Sequence, residues 1–273
     1  MKILDGKELA GYITERQARQ VRGLRQHWGV KPRLAIITTT DNPVTSVYIR
    51  LKQRYGEDIL VDVDVHRVDQ RDATSIIDKL NKDATVQGII VQLPLSNIDE
   101  TDEIVAKIAP EKDVDGLGPQ AGYVSATATA INWLLAGYNI ELQGRNIAIV
   151  GLGRLVGSPL LKLWKDAGLT VQGYDDTTDN LGEKLRLADV IVTATGSPRL
   201  IQSHMVKPGA VIVDAGTASE NGELVGDVAP ELRERNDITI TPIRGGVGPL
   251  TVVALFDNVI QAARASASDE AKY

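Results

Sequence analysis

The order of elements in this chain predicts an α/β fold of two lobes, each with a parallel sheet at its centre. Three observations carry that reading. Between Arg33 and Ile108, short apolar runs of strand length alternate with helix-length segments. The alternation pauses at an apolar helical stretch, Thr127 to Ala136, and restarts at Asn146. Strands separated by helices call for right-handed crossovers in a parallel sheet, and 273 residues are enough for two such lobes.

In order, Arg33-Leu-Ala-Ile-Ile37 reads as a buried strand and Thr45 to Gly56 as the helix after it. Val61 to Val65 alternates apolar and acidic residues, as an edge or half-exposed strand does. Ala73 to Asn81 is helical, Gly88-Ile-Ile-Val91 is a buried strand, and Glu100 to Ile108 is a helix. The second run holds strand 146–150, helix 154–166, strand 169–174, helix 178–186, and strands 189–193, 210–213 and 238–241. Pro249 to Ala263 is an amphipathic helix whose place along the sequence leaves its lobe open. The polar tail Ser266 to Tyr273 is expected to fray.

Composition removes several function classes. Hydrophobic residues make up 43% and aromatics only 4%, so the cores must rest on Val, Ile, Leu and Ala. A net charge of -6 argues against a nucleic-acid surface, which needs clustered Lys and Arg. The absence of cysteine excludes disulfides, thiol catalysis and thiolate metal sites. Neither an apolar signal region nor an 18-residue apolar run is present, so a soluble, cytoplasmic protein is expected, with no membrane partner. His27, His66 and His204 stand singly, and no metal site is expected.

The second lobe carries a ligand signature. Gly151-Leu-Gly-Arg-Leu-Val-Gly157 follows the strand Asn146-Ile-Ala-Ile-Val150 and gives G-x-G-x-x-x-G, one residue longer than the commonest fingerprint. Its first glycines permit a tight turn and let backbone N–H groups approach a pyrophosphate at a helix N-terminus. An ordinary strand-to-helix turn could look the same. Two further features favour a nicotinamide dinucleotide in a Rossmann-like lobe. Asp175 and Asp176 follow the next strand, where a carboxylate can meet an adenosine ribose. Thr193-Ala-Thr-Gly-Ser-Pro198 and Asp214-Ala-Gly-Thr217 end two more strands with small residues. The cofactor candidates are therefore Gly151, Leu152, Gly153, Arg154, Val156, Gly157, Asp175, Asp176, Thr195, Gly196 and Thr217.

The first lobe offers a proton-handling set. Tyr48 and Lys52 lie four apart, about one turn from each other on a helix face. Asp41-Asn-Pro43 supplies a turn and cap before that helix. Gln92 follows a buried strand and precedes Leu93-Pro94, where the proline halts pairing. Asp115 lies in Lys112-Asp-Val-Asp-Gly116, with Asp113 beside it as a competing candidate. Taken singly, Lys52 reads as a solvated helix lysine, Gln92 as structural, and Asp115 as a turn or cap residue. Their company is what favours chemistry. Gly245-Gly-Val-Gly-Pro249, directly before a helix, reads as a backbone nest for a planar ligand.

Together these words resemble the bifunctional methylenetetrahydrofolate dehydrogenase/methenyltetrahydrofolate cyclohydrolases, nearly end to end. The likeness begins at Ile3-Leu-Asp-Gly-Lys7 and takes in Asp41-Asn-Pro43, Tyr48-x-x-x-Lys52, Val91-Gln-Leu-Pro-Leu95 and Lys112-Asp-Val-Asp-Gly116. It continues through Val156-Gly-Ser-Pro159, Asn221-Gly-x-x-x-Gly-Asp-Val228 and Gly245-Gly-Val-Gly-Pro-Leu-Thr251. The resemblance implies a folate-binding catalytic lobe over 1–120, with the C-terminal helix 249–273 returning to it. It implies an NAD(P)-binding lobe over 121–248 and an active site in the cleft between the two. The implied chemistry is oxidation of 5,10-methylenetetrahydrofolate to the methenyl cation, then hydrolysis to 10-formyltetrahydrofolate.

By the same likeness Lys52 would be the general acid/base, Gln92 would tune its charge, Tyr48 would align it, and Asp115 would hold the pterin edge. Val91, Leu93, Gly245, Gly246 and Pro249 would complete the folate site, and the protein would be a homodimer. Departures from the family pattern are local. The connection Leu117 to Ser125 is shortened, and Ala126-Thr-Ala128 replaces a Cys-Thr-Pro turn. Gly151-Leu-Gly153 replaces Gly-Arg-Ser, and Arg244 replaces a proline. Relatives generally carry small hydroxyl or basic residues where this chain has Asp175 and Asp176, which points to NAD over NADP. Two alternatives remain open on sequence: a relative with one activity, and a non-catalytic folate- or nucleotide-binding paralogue. Without the likeness, a generic two-domain NAD-dependent dehydrogenase would be the runner-up.

Overall fold

Two sheets organise the chain, and each belongs to its own folding unit. The computed structural model describes residues 2–220 and 223–270. The chain opens with β1 (Lys2–Ile3) and α1 (Gly6–His27), followed by β2 (Arg33–Thr38), α2 (Pro43–Ile59), β3 (Asp62–Arg67), α3 (Gln70–Lys82), β4 (Gly88–Val91) and α4 (Thr101–Val105). After α5 (Ala126–Gly137) come β5 (Ile147–Val150), α6 (Gly157–Asp166), β6 (Val171–Tyr174), α7 (Leu181–Leu185), β7 (Val190–Thr193) and β8 (Val211–Asp214). An antiparallel pair, β9 (Ala218–Glu220) and β10 (Glu223–Val225), precedes β11 (Thr239–Ile240) and α8 (Val247–Glu270).

One unit holds Gly11–Ala126 together with the chain from Val252 onward. Its parallel sheet has the order β3-β2-β4. The central strand β2 is apolar because both its faces are covered. On one face Ala35, Ile37, Ile89 and Val91 pack against Ala73, Ile77 and Leu80 of α3 and Ile104 and Val105 of α4. The apolar residues of α3 recur at positions 73, 77 and 80, one helix stripe. Toward α8, a Cβ built on Gly88 would lie 3.2 Å from Val259, and the rings of Tyr55 and Phe256 are 5.0 Å apart. Phe256 is fully buried, a contribution of about 1.5–3 kcal/mol. A polar seam fixes α1 from Gly11 onward in the same unit: Gln17 donates to Val253 O at 2.9 Å and accepts from the Tyr55 hydroxyl at 2.7 Å.

The other unit holds the residues up to Ala10 and Thr127–Thr251. Its sheet has the order β1-β11-β8-β7-β5-β6 and is parallel throughout. The chain leaves β5 for β6 on one side, then crosses to β7 on the other. The strand order therefore reverses between β5 and β7, the crevice where open α/β sheets take ligands.

Several boundaries differ from the sequence reading. The first ten residues do not go with 11–120, because Lys2 and Ile3 pair with Thr239 and Ile240 at the edge of the six-stranded sheet. Helix α1 was not anticipated. It is nucleated by Asp5, whose Oδ1 accepts from the N–H groups of Lys7 (2.8 Å) and Glu8 (3.2 Å), an N-cap arrangement. Helix 154–166 starts only at Gly157, since residues 154–156 are spent in the preceding turn. Helix 178–186 shrinks to α7, entered through Asn180 with φ 53°. Helix 100–108 divides into a 3-10 turn, Ile98–Glu100, and α4. The last helix starts two residues early and runs through Ser266, Ala267 and Ser268 to Glu270, with Ala267 buried; Ala271 to Tyr273 lie outside the described residues.

Candidate functional site

In the unit of the three-stranded sheet, α2 begins at Pro43, whose fixed φ and missing N–H suit a first helical position. Asn42 O accepts from Ser46 N at 3.0 Å and starts the helical ladder. Tyr48 is 40% exposed, and Lys52 one turn on is half-buried. Strand β4 delivers Gln92: its N–H donates to Ile37 O at 2.8 Å, and the chain then turns through a cis Leu93–Pro94 bond. The structure joins the two side chains directly, with Lys52 Nζ donating to Gln92 Oε1 at 2.6 Å.

Asp115 completes this group electrostatically. Burial pushes the Lys52 amine below the usual lysine range, while the charge of Asp115 works the other way. For Asp115, burial pushes the carboxyl up; Lys52 opposes that shift and Asp113 adds to it. Each group thus disfavours its own charge yet is charged more easily beside the other. Asp113 has a different task. It is 2% exposed, and its carboxylate accepts from Gly116 N at 3.1 Å and Gly118 N at 2.7 Å, shaping the turn that carries Asp115.

The remaining folate-side candidates do not share one environment. Val91 has its side chain in the apolar core, because both faces of β4 are covered, so only its backbone remains for a ligand. Leu93 is half-buried against the same core. Gly245, Gly246 and Pro249 fall in the unit of the six-stranded sheet. There Gly245 O accepts from Gly6 N (2.8 Å) and Lys7 N (3.0 Å), capping the free N–H groups of α1. A Cβ on Gly6 would lie 1.9 Å from Gly246 O, so the two turns meet backbone to backbone. Pro249 sits in the first turn of α8, where a missing N–H costs nothing.

The glycine turn after β5 stands at the strand-order reversal. Gly151 has φ +88°, and a Cβ there would come within 2.6 Å of Ala194 O, at the end of β7. A Cβ on Gly157 would lie 1.8 Å from Gly151 O, so the turn closes on itself only without side chains. Gly153 is exposed, and nothing stands within 4 Å of its Cβ position. The turn is therefore locked from behind and open in front, a cradle that fits a pyrophosphate against backbone N–H groups. Leu152 faces inward, since a Cβ on Gly173 of β6 would meet its methyl at 2.8 Å. Arg154 is exposed, and Val156 is the half-buried residue before α6.

Around that cradle, Asp175 and Asp176 follow β6 and are exposed. Asp175 Oδ1 accepts from Thr177 Oγ1 (2.7 Å) and Thr177 N (3.1 Å), bonds that hold its carboxyl below the usual range. Thr195 and Gly196, with φ +67°, form the loop after β7, and Thr217 lies exposed after β8. Beneath them is a charged network that the sequence reading missed. Asp227, 1% exposed, accepts from Thr193 Oγ1 (2.6 Å) and Thr195 N (2.7 Å). Asp214 accepts from Arg233 Nη2 (2.5 Å) and Asp227 N (3.1 Å). Asp227 lies in the segment Asn221 to Val228, which carries part of the family resemblance, but nothing in the sequence singles out Arg233. Asn221 and Gly222 of that segment lie outside the described residues. Among the described residues, no group of three His, Cys, Asp or Glu is placed to hold a metal, and no helix is long and apolar enough to cross a membrane.

Comparison with known proteins gives consistent matches over both units. Residues 4–115 match the catalytic domain of tetrahydrofolate dehydrogenase/cyclohydrolase, and residues 125–267 match its NAD(P)-binding domain. The bifunctional protein FolD of Lactobacillus acidophilus is 39% identical over 96% of this chain and 97% of its own length. The bifunctional enzyme FolD from Campylobacter jejuni superposes with a TM-score of 0.92 at 34% identity, covering 97% of this chain and 99% of that one. The Trypanosoma brucei methylenetetrahydrofolate dehydrogenase-cyclohydrolase, solved with NADP and an inhibitor, has a TM-score of 0.90 at 29% identity, with 97% of each chain covered.

Proposed function

The chain belongs to the tetrahydrofolate dehydrogenase/cyclohydrolase family, and we propose that Lys52 is the proton-transfer group of its hydrolytic step. The enzyme oxidises 5,10-methylenetetrahydrofolate to the 5,10-methenyl cation with a nicotinamide dinucleotide and hydrolyses that cation to 10-formyltetrahydrofolate. The cofactor, when bound, supplies the hydride acceptor, and the glycine cradle with the loops after β6, β7 and β8 would hold it.

The observation that carries the proposal is the 2.6 Å bond from Lys52 to Gln92 in a desolvated position. Water attacking the methenyl carbon must lose a proton as the C–O bond forms. A lysine amine held below its ordinary pKa is a better supply of the neutral base, which can take that proton and return it to the ring nitrogen as the C–N bond opens. Both the neutral amine and the ammonium can donate to Gln92 Oε1, so the bond that aims the amine persists through the cycle. Asp115 would accept from the amino and ring N–H groups of the pterin and fix its orientation. Tyr48 would cover the ring system with its exposed face.

We assign NAD as the preferred cofactor. A carboxylate held firmly ionised just after β6 suits the ribose hydroxyls and repels a 2′-phosphate. The homodimer and the cytoplasmic setting implied by the family resemblance belong to the same proposal. Lys52→Met tests the central claim, since it keeps much of the stem's volume and removes the titrating amine. Hydrolysis of the methenyl cation should fall by at least ~10²-fold, the usual loss for a general acid/base. A folded variant that hydrolyses at the wild-type rate would show that another group moves the proton.

A further inference from the structure

Helix α8 sends one polar side chain into the segment that carries Asp115. Asn258 is 5% exposed, among the buried Leu255, Phe256, Val259 and Ile260. An amide in such surroundings is costly unless bonded, and Asn is a poor helix former. Its two amide hydrogens go to two different segments. Nδ2 donates to Val114 O at 2.8 Å, the carbonyl immediately before Asp115, and to Val124 O at 3.0 Å, the end of the shortened connection. Those segments touch each other as well. Gly116 has φ +70°, and a Cβ there would lie 2.7 Å from both Tyr123 O and Ser125 N.

We infer that Asn258 is a positioning residue for Asp115, clamping the peptide before the acid to the 117–125 connection. The inference rests on the pterin-binding role proposed for Asp115. Asp113 holds the same turn through the N–H groups of Gly116 and Gly118 and reaches the Asp115 N–H as well, so the Val114–Asp115 peptide is held at its N–H by Asp113 and at its carbonyl by Asn258 of α8. Removing the Asn258 donors releases the carbonyl end of that peptide, which can then tilt about the N–H held by Asp113, and the carboxylate of Asp115 shifts with it. Folate serves both reactions, so both should suffer in KM while cofactor binding does not. Lys52 offers a second reading, because the charge of Asp115 raises its pKa.

The test is steady-state kinetics of both activities in Asn258→Leu and Asn258→Ser, the first lacking both donors and the second able to keep one. Folate KM should rise roughly tenfold in Asn258→Leu, the scale of one lost charge-assisted bond, and less in Asn258→Ser. The pH-independent kcat values and the cofactor KM should hold, while the pH inflection of hydrolysis should move down as Asp115 leaves Lys52. In an Asp115→Asn background, Asn258→Leu should add nothing further to KM. Unchanged folate KM in a folded Asn258→Leu protein, or full additivity with Asp115→Asn, overturns the inference. If Asn258→Leu does not fold, Asn258→Ser decides by the same two readouts. Should Asp115→Asn alone leave folate KM unchanged, the role of Asp115 falls first and the inference with it.

Discussion

Gly157→Ala asks whether the two activities can be separated by a single methyl group. A Cβ at Gly157 would stand 1.8 Å from Gly151 O, 2.8 Å from Gly151 C and 3.0 Å from Leu152 Cα. All three are backbone atoms, so no side-chain rotation relieves the clash. Reaching 3.0 Å, the shortest approach real Cβ atoms tolerate, requires the turn to open by about 1.2 Å. Overpacking of this kind costs about 1–3 kcal/mol of stability. The larger effect falls on function, because a misplacement near 1 Å in a binding cradle costs about 10²-fold in rate. Hydrolysis of the methenyl cation needs no cofactor, so each variant contains its own control. Dehydrogenase kcat/KM with respect to the dinucleotide should fall about 10²-fold, while hydrolysis stays within about twofold of wild type, both followed by methenyl absorbance. Equal loss of both activities in a folded protein would refute the separation, as would an unimpaired dehydrogenase.

Two further outcomes follow from charges. Wild-type enzyme should show a higher kcat/KM with NAD than with NADP, and Asp175→Ser with Asp176→Arg should shift the ratio toward NADP; a wild-type preference for NADP would sink the assignment. Lys52 should also be visible in stability. Its folded pKa lies below its unfolded value, so the buried ammonium is a penalty that is full below the folded pKa and fades as pH rises toward 10.5. Denaturant unfolding of the wild type should therefore show stability rising across that window relative to Lys52→Met, and parallel pH profiles for the two proteins would contradict it.

The chain's own sequence pointed to the buried strands of both parallel sheets, to the glycine turn after β5, and to Tyr48, Lys52, Gln92 and Asp115 as candidates for chemistry. Val, Ile and Leu runs such as Arg33 to Ile37 and Gly88 to Val91 can be satisfied only by burial on both faces. The G-x-G-x-x-x-G spacing marked the turn, and the structure supplies the reason for two of its glycines, since backbone stands within 3.0 Å of a Cβ at Gly151 and at Gly157. Tertiary structure decided what depends on partners distant along the chain. β1 is two residues long and acquires meaning only beside β11, which takes the first ten residues away from those that follow. Helix α1 has a thin apolar stripe, Ala10, Val21 and Leu24, with the polar Gln17 on the same buried face. Its helicity owes much to the Asp5 cap and to the Gln17–Tyr55 bond. Asp113 and Asp115 are indistinguishable as letters. Only the fold gives one to backbone N–H groups and the other to Lys52, because hydrogen bonding and burial are properties of a place in space, not of a residue type.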